Sequence, residues 1–245
     1  MSLPARLLNV FAIPGDVFEE VKTTPATVAN WLVPILLSVL VGIIATNIIF
    51  SQPTIVQQMH EQQASMYDGM VKAGKMSQAD ADRAMAAIEK FSSPTLLKIS
   101  GSIGAVIASF VQVFGWALIL WLLGMFLLKV RFGFFKALEV AGLAAMVGVL
   151  GGIVTALLTV SIGKITEPNL AVLLSHYDDK NSLHQFMAAT NVFTIWWIAL
   201  MAVGLARLTT VRYSRALFGV LGSWLAMQMF LIFVVTAVLG LLKFR

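Results

Sequence analysis

The sequence predicts an all-α polytopic integral membrane protein: one bundle of five transmembrane helices, with an N-terminal amphipathic segment and an extracytoplasmic helical hairpin. Three observations predict it. Hydrophobic residues make up 59% of the 245 and charged residues only 12%, against roughly 25% charged in an average soluble domain. Five apolar stretches are each long enough to cross the roughly 30 Å of hydrocarbon in a bilayer. A single large polar segment, from Ser51 to Lys98, interrupts them. Backbone groups in lipid must be satisfied within the segment, so the spans are helices. Runs such as Trp116-Ala117-Leu118-Ile119-Leu120-Trp121 lack the alternation of a β-barrel strand.

Residues 1–30 form the first element. Leu3, Leu7, Val10 and Phe11 share one helical face. After a break at Pro14-Gly15, Val17, Phe18 and Val21 form a second stripe, with Asp16 as N-cap. Such pieces either lie in the headgroup plane or pack against the bundle. No cleavable signal peptide is expected, because Asp16, Glu19 and Glu20 interrupt any apolar core. The first span runs from about Trp31 to Phe50. In the polar segment, Ser77 and Asp80 read as a helix start, with Gly74 and Pro94 as brackets, which predicts a helical hairpin over 51–98. The remaining spans cover about 99–128, 137–162, 191–208 and 216–242.

Charge in the short loops sets the orientation. The turn with Lys129, Arg131 and Lys136 holds no acid, nor does the turn with Arg207, Arg212 and Arg215. The loop from Gly163 to Ala189 sets two lysines against Glu167, Asp178 and Asp179. The N-terminus and both basic turns are therefore expected in the cytoplasm and the C-terminus outside, against the minor contrary signal of Lys243 and Arg245. The two basic turns also echo each other. Val130-Arg131-Phe132 then Lys136-Ala137-Leu138 returns as Val211-Arg212-Tyr213 then Arg215-Ala216-Leu217, while Trp116 and Gly124 return as Trp196 and Gly204. This pattern fits a parallel repeat of two hairpins.

Polar residues within spans are the first places to seek function, since a charge at mid-membrane costs about 2.5–3.5 kcal/mol. Glu139 is the one acid near a span. It reads as an interfacial ion pair with Lys136, or alternatively as a proton or solute site. Asn47, Gln112 and Gln228 are expected to bond between helices. Small residues at intervals of four, Ala144, Gly148 and Gly152 on the third span and Gly104 and Ala108 on the second, predict close helix packing centred on the third span.

Enzyme signatures are missing. Cysteine is absent. His176, Asp178, Asp179 and His184 fit no zinc spacing, and no phosphate loop or nucleophile elbow is present. No cofactor and no nucleic-acid partner is expected. The basic turns, Lys129, Arg131, Lys136, Arg207, Arg212 and Arg215, are the expected contacts for anionic lipid headgroups or a protein partner, and self-association is a further expectation.

The chain resembles the Yip family, five-span proteins named for interacting with small Ypt/Rab GTPases, in its bacterial branch. The resemblance rests on Phe11-x-x-Pro14-x-x-x-Phe18, on Phe135-Lys136-Ala137-Leu138 leading to Val140 and Gly142, and on Trp197 to Leu205 followed by Ser214-Arg215-Ala216. Two departures stand out. Leu143 occupies a position where the family commonly has tyrosine, and an Asp-Leu-Tyr-Gly-Pro signature is absent around Thr24-Pro25-Ala26. The resemblance implies a five-span fold with a cytoplasmic N-terminus. The expected role is non-enzymatic, organising the membrane or binding partners through the N-terminal segment and the basic turns. The alternative is a transporter or channel for a small solute, with Glu139 at its centre.

Overall fold

A computed structural model describes residues 1–166, 168–174, 178 and 181–241. Glu167, His176, Asp179, Lys180, Leu242, Lys243 and Arg245, on which parts of the charge, span and metal readings rest, lie outside the described residues. The helices are α1 (Leu3–Ala12), α2 (Pro14–Thr23), α3 (Ala29–Ile49), α4 (Pro53–Lys72), α5 (Gln78–Phe91), α6 (Pro94–Leu122), α7 (Phe134–Ala144), α8 (Met146–Ile162), α9 (Ser182–Ala189), α10 (Val192–Thr209) and α11 (Tyr213–Leu241). Among the described residues, five helical stretches are long and apolar enough to cross a membrane. They are α3, α6 with the π turn Leu123–Leu127 that prolongs it, α7 with α8, α10, and α11 as far as Val234.

Local chemistry explains the ends. Proline occupies the first turn of α2, α4 and α6, where its missing N–H leaves no acceptor wanting. Ser93 Oγ accepts from the Leu96 N–H at 3.3 Å, so α6 starts at Pro94, earlier than the apolar run alone indicates. Ser77 Oγ accepts from the Asp80 N–H at 3.1 Å and donates to its carboxylate at 2.7 Å, which opens α5. Gly74 turns the chain from α4 towards α5 in the left-handed conformation, φ 66°. One expected cap is corrected. Asp16 lies inside the first turn of α2 and caps nothing, because Pro14 starts the helix with Ile13 at the N-cap.

The N-terminal segment packs against the bundle. α1 and α2 fold back on each other across Ile13, and Val10, Val17, Phe18 and Val21 are fully buried. α1 touches α3, α7 and α8, while α2 lies along α10 and against α7. The Phe11 ring meets Trp196 edge-on at 5.5 Å, only four residues into α10. This hairpin is thus wedged among the first, third and fourth spans, with Leu8 facing outward at 70% exposure.

The centre of the bundle is α7. Every residue from Ala137 to Ala145 is buried, against α1, α2, α3, α6 and α10. The fourth span shares the role, since 50% of its apolar window is buried against 39% for the third. Close approach is set by glycines other than most of those the spacing singled out. A Cβ on Gly142 would lie 2.3 Å from the Trp31 Cα, and one on Gly42 would lie 2.7 Å from the Ala105 Cβ. On Gly204 it would meet Val140 Cγ1 at 2.2 Å.

The expected packing stripes need correcting at three positions. Gly104 and Ala108 are exposed, and Gly148 is exposed with nothing within 4 Å of a built Cβ. On α6 a second i, i+4 pair, Gly101 and Ala105, faces α3 instead, where Gly101 meets Thr46. On the third span burial is complete from Ala137 to Ala145 and only partial beyond it, where Gly148 and Leu150 are exposed. Ala144 is buried, and Gly152 does pack, with Val41 Cγ1 at 3.3 Å.

The two basic turns share a backbone device. Lys129 (φ 56°) and Thr210 (φ 57°) are the two positive-φ non-glycine residues among those described, each one residue before the Val-Arg of its turn. The paired glycines differ in use: Gly124 makes room for the ring of Phe132 in its own turn, whereas Gly204 receives Val140 of another span.

Candidate functional site

Lys136 and Glu139, three residues apart on α7, lie on one helix face and pair at 2.9 Å. Around them converge the end of α2 and the start of α3. The Lys136 ammonium donates to the Val21 carbonyl at 2.5 Å, the Thr24 carbonyl at 2.6 Å and Glu139 Oε2. All three of its N–H bonds are used, two of them on the carbonyl end of α2, where a cation suits the helix dipole. Glu139 Oε1 accepts from the Thr27 N–H at 2.8 Å and from the Asn30 side-chain amide at 2.6 Å. The carboxylate thereby takes up an otherwise unpaired donor just ahead of α3.

Glu139 and Asn30 are fully buried. Their contact depends on Gly142, one turn beyond Glu139 on the same face. A Cβ there would sit 2.9 Å from the Asn30 carbonyl oxygen and closer still to Trp31. The cluster is a clasp. One ion pair on α7 closes the α2–α3 connection and holds the N-terminal hairpin to the first span. Lys136 is therefore corrected as a lipid or partner contact, because its charge is spent inside the protein.

Lys129, Arg131, Arg212 and Arg215 are exposed, and Arg207 lies 3.7 Å from Glu19 across the foot of α2. The intramembrane amides do not join spans. Asn47 donates to the Ile43 carbonyl of its own helix at 2.8 Å. Gln112 is exposed and Gln228 half-buried, and among the described residues neither bonds to another span. Asn47 and Gln112 are both exposed, which leaves them outside the seams where a bond between helices could form. Among the described residues no cluster of three or more metal-ligating side chains occurs.

A second charged group fixes the hairpin internally. The Met1 amine and the Arg6 guanidinium, the latter at 3.1 Å, both donate to Glu20. These two bonds, the amine first, hold the Glu20 carboxyl below the ordinary carboxylate range. A folded-state value below the unfolded one means that the folded protein binds fewer protons. The contribution is therefore whole at neutral pH and is lost as pH falls through the lowered folded value. Hydrogen exchange over residues 3–23, corrected for intrinsic rates, should quicken below about pH 4, and Glu20→Gln should show the quickened exchange already at neutral pH.

Sequence reasoning singled out Lys136 and Glu139 but missed Thr27, Asn30 and Gly142. The available signal was Asn30, a polar residue at the edge of a span, together with Gly142 one turn from the only acid near a span.

Comparison with known families matches the chain to the Yip1 domain over residues 8–236. Comparisons with curated proteins and with solved structures find no match.

Proposed function

The chain belongs to the Yip1-domain family of integral membrane proteins, and from that premise we propose that it works as a non-enzymatic adaptor, organising the membrane or binding a protein partner. The observation that carries this reading is the clasp. The one acid of the spans has both oxygens occupied, and its lysine partner has no N–H to spare. A coupling carboxylate in a transporter needs access to a proton or a solute, and Glu139 is fully buried among structural donors.

What the protein offers to partners is the hairpin surface and the turns bearing Lys129, Arg131, Arg212 and Arg215, all exposed. The positive turns support a cytoplasmic N-terminus and an extracytoplasmic α4–α5 hairpin. The resemblance to the family's bacterial branch supports a place in the bacterial inner membrane.

The cysteine-free sequence makes the topology directly testable. A cysteine replacing Ser182 should react with an impermeant thiol reagent from outside, and one replacing Thr210 should not. The reverse pattern would invert the orientation. Cross-linking in native membranes should then recover a partner or a second copy through cysteines in the basic turns. Solute flux in proteoliposomes, lost in a folded Glu139→Gln variant, would replace the adaptor by a transporter.

A further inference from the structure

Between the tip of the α1–α2 hairpin and the α10–α11 turn lies a half-open cavity of about 630 Å³. Its walls include Gly15, Glu19, Val203, Ala206, Arg207 and Tyr213. We propose that this cavity holds the phosphodiester headgroup of one membrane phospholipid, with the Arg207 guanidinium as its anchor.

The charge of Arg207 is available. Its contact with Glu19 is 3.7 Å, too long for a good hydrogen bond. Glu19 is shared between two cations: Oε1 accepts from Lys22 at 3.1 Å, while Oε2 faces Arg207 at the longer distance. The guanidinium is about half exposed and lies over the hairpin tip, where a Cβ on Gly15 would come 3.0 Å from Nη2. A planar fork with donors to spare suits two oxygens of a phosphate. Arg212 and Arg215, exposed on the adjoining turn, add positive charge to this end of the bundle.

Position and size favour a lipid over a soluble phosphate ester. Arg207 stands in the last turn of the fourth span and Tyr213 at the first residue of the fifth span, the level at which headgroups lie. Val203 and Ala206 continue the wall along the span and offer an apolar track for the glycerol and the first methylenes. The volume falls in the range of small-molecule sites, about 300–1,000 Å³, and far exceeds a bare phosphate.

The test is native mass spectrometry of the delipidated full-length chain titrated with phosphatidylglycerol, with glycerol 3-phosphate as a competing arm. Wild type should retain one lipid at collision energies that strip the others. Arg207→Ala should weaken that retention at least tenfold, whereas Arg131→Ala, on the other basic turn, should keep it. Ala206→Phe fills the cavity while leaving Arg207 in place, and should also lose the lipid. It decides the matter alone if Arg207→Ala fails to fold. Retention equal to wild type in Ala206→Phe or in folded Arg207→Ala overturns the proposal. So does displacement of the lipid by equimolar glycerol 3-phosphate, which would make the occupant a soluble phosphate ester.

Discussion

Replacing Lys136 with methionine is expected to destabilise the bundle by about 3–5 kcal/mol, the cost of removing one partner from a buried ion pair. The substitution leaves the fully buried Glu139 carboxylate facing only the Thr27 N–H and the Asn30 amide. It also strips the Val21 and Thr24 carbonyls of their donor. Glu139→Leu should cost a comparable amount for the mirror reason, since it strands the ammonium. The double variant Lys136→Met/Glu139→Leu should recover a large part of the summed loss, because no uncompensated charge is left. It should not recover all of it, since the end of α2 stays uncapped. Reversible unfolding in mixed detergent micelles, run as a double-mutant cycle, checks this. Additive losses would mean that the pair is not coupled and the clasp is misread. The same variants should raise hydrogen exchange in α2 more than in α11, because the hydrogen-bond partners of the pair lie at the end of α2 and the start of α3.

Gly142→Ala is the second large effect. The new methyl would fall 2.3 Å from a backbone atom of Trp31 and 2.6 Å from its Cβ, so α3 as a whole must move. Overpacking of this kind costs about 1–3 kcal/mol, and more when backbone rather than a side-chain tip is in the way. Moving α3 also lengthens the Asn30 to Glu139 bond, so the two losses are linked. Gly148→Ala, six residues along the same span, is the control. Nothing lies within 4 Å of its Cβ, and the change should be neutral or gain up to about 1 kcal/mol through helix propensity. Equal effects at the two glycines would refute the packing described here. Micelle unfolding measured on both variants side by side makes the comparison.

The five spans were legible in the chain because crossing a bilayer is a requirement along one dimension. Length, apolarity and the absence of charge suffice, and α3, α6, α7 with α8, α10 and α11 meet it in sequence order. The ion pair of Lys136 and Glu139 was legible for a similar reason, since three residues on a helix place two side chains on one face. The family resemblance also stood on local motifs, and the match to residues 8–236 agrees with it.

Which face of each helix meets a neighbour was not legible. On α6 the pairs Gly101 with Ala105 and Gly104 with Ala108 are equally good in spacing, and only the position of α3 selects the first. On the third span the neighbours cover every residue as far as Ala145 and only some beyond it, so a stripe continuous in sequence is buried at Ala144 and exposed at Gly148. The partners of Glu139 lie 109 and 112 residues away, at Asn30 and Thr27, and no local pattern joins them. The sequence by itself determined the spans, their order and the polar pair. The tertiary structure alone decided which glycines pack and that Glu139 is a clasp, because burial in a bundle depends on the rotation of each helix, and that rotation is set by its neighbours.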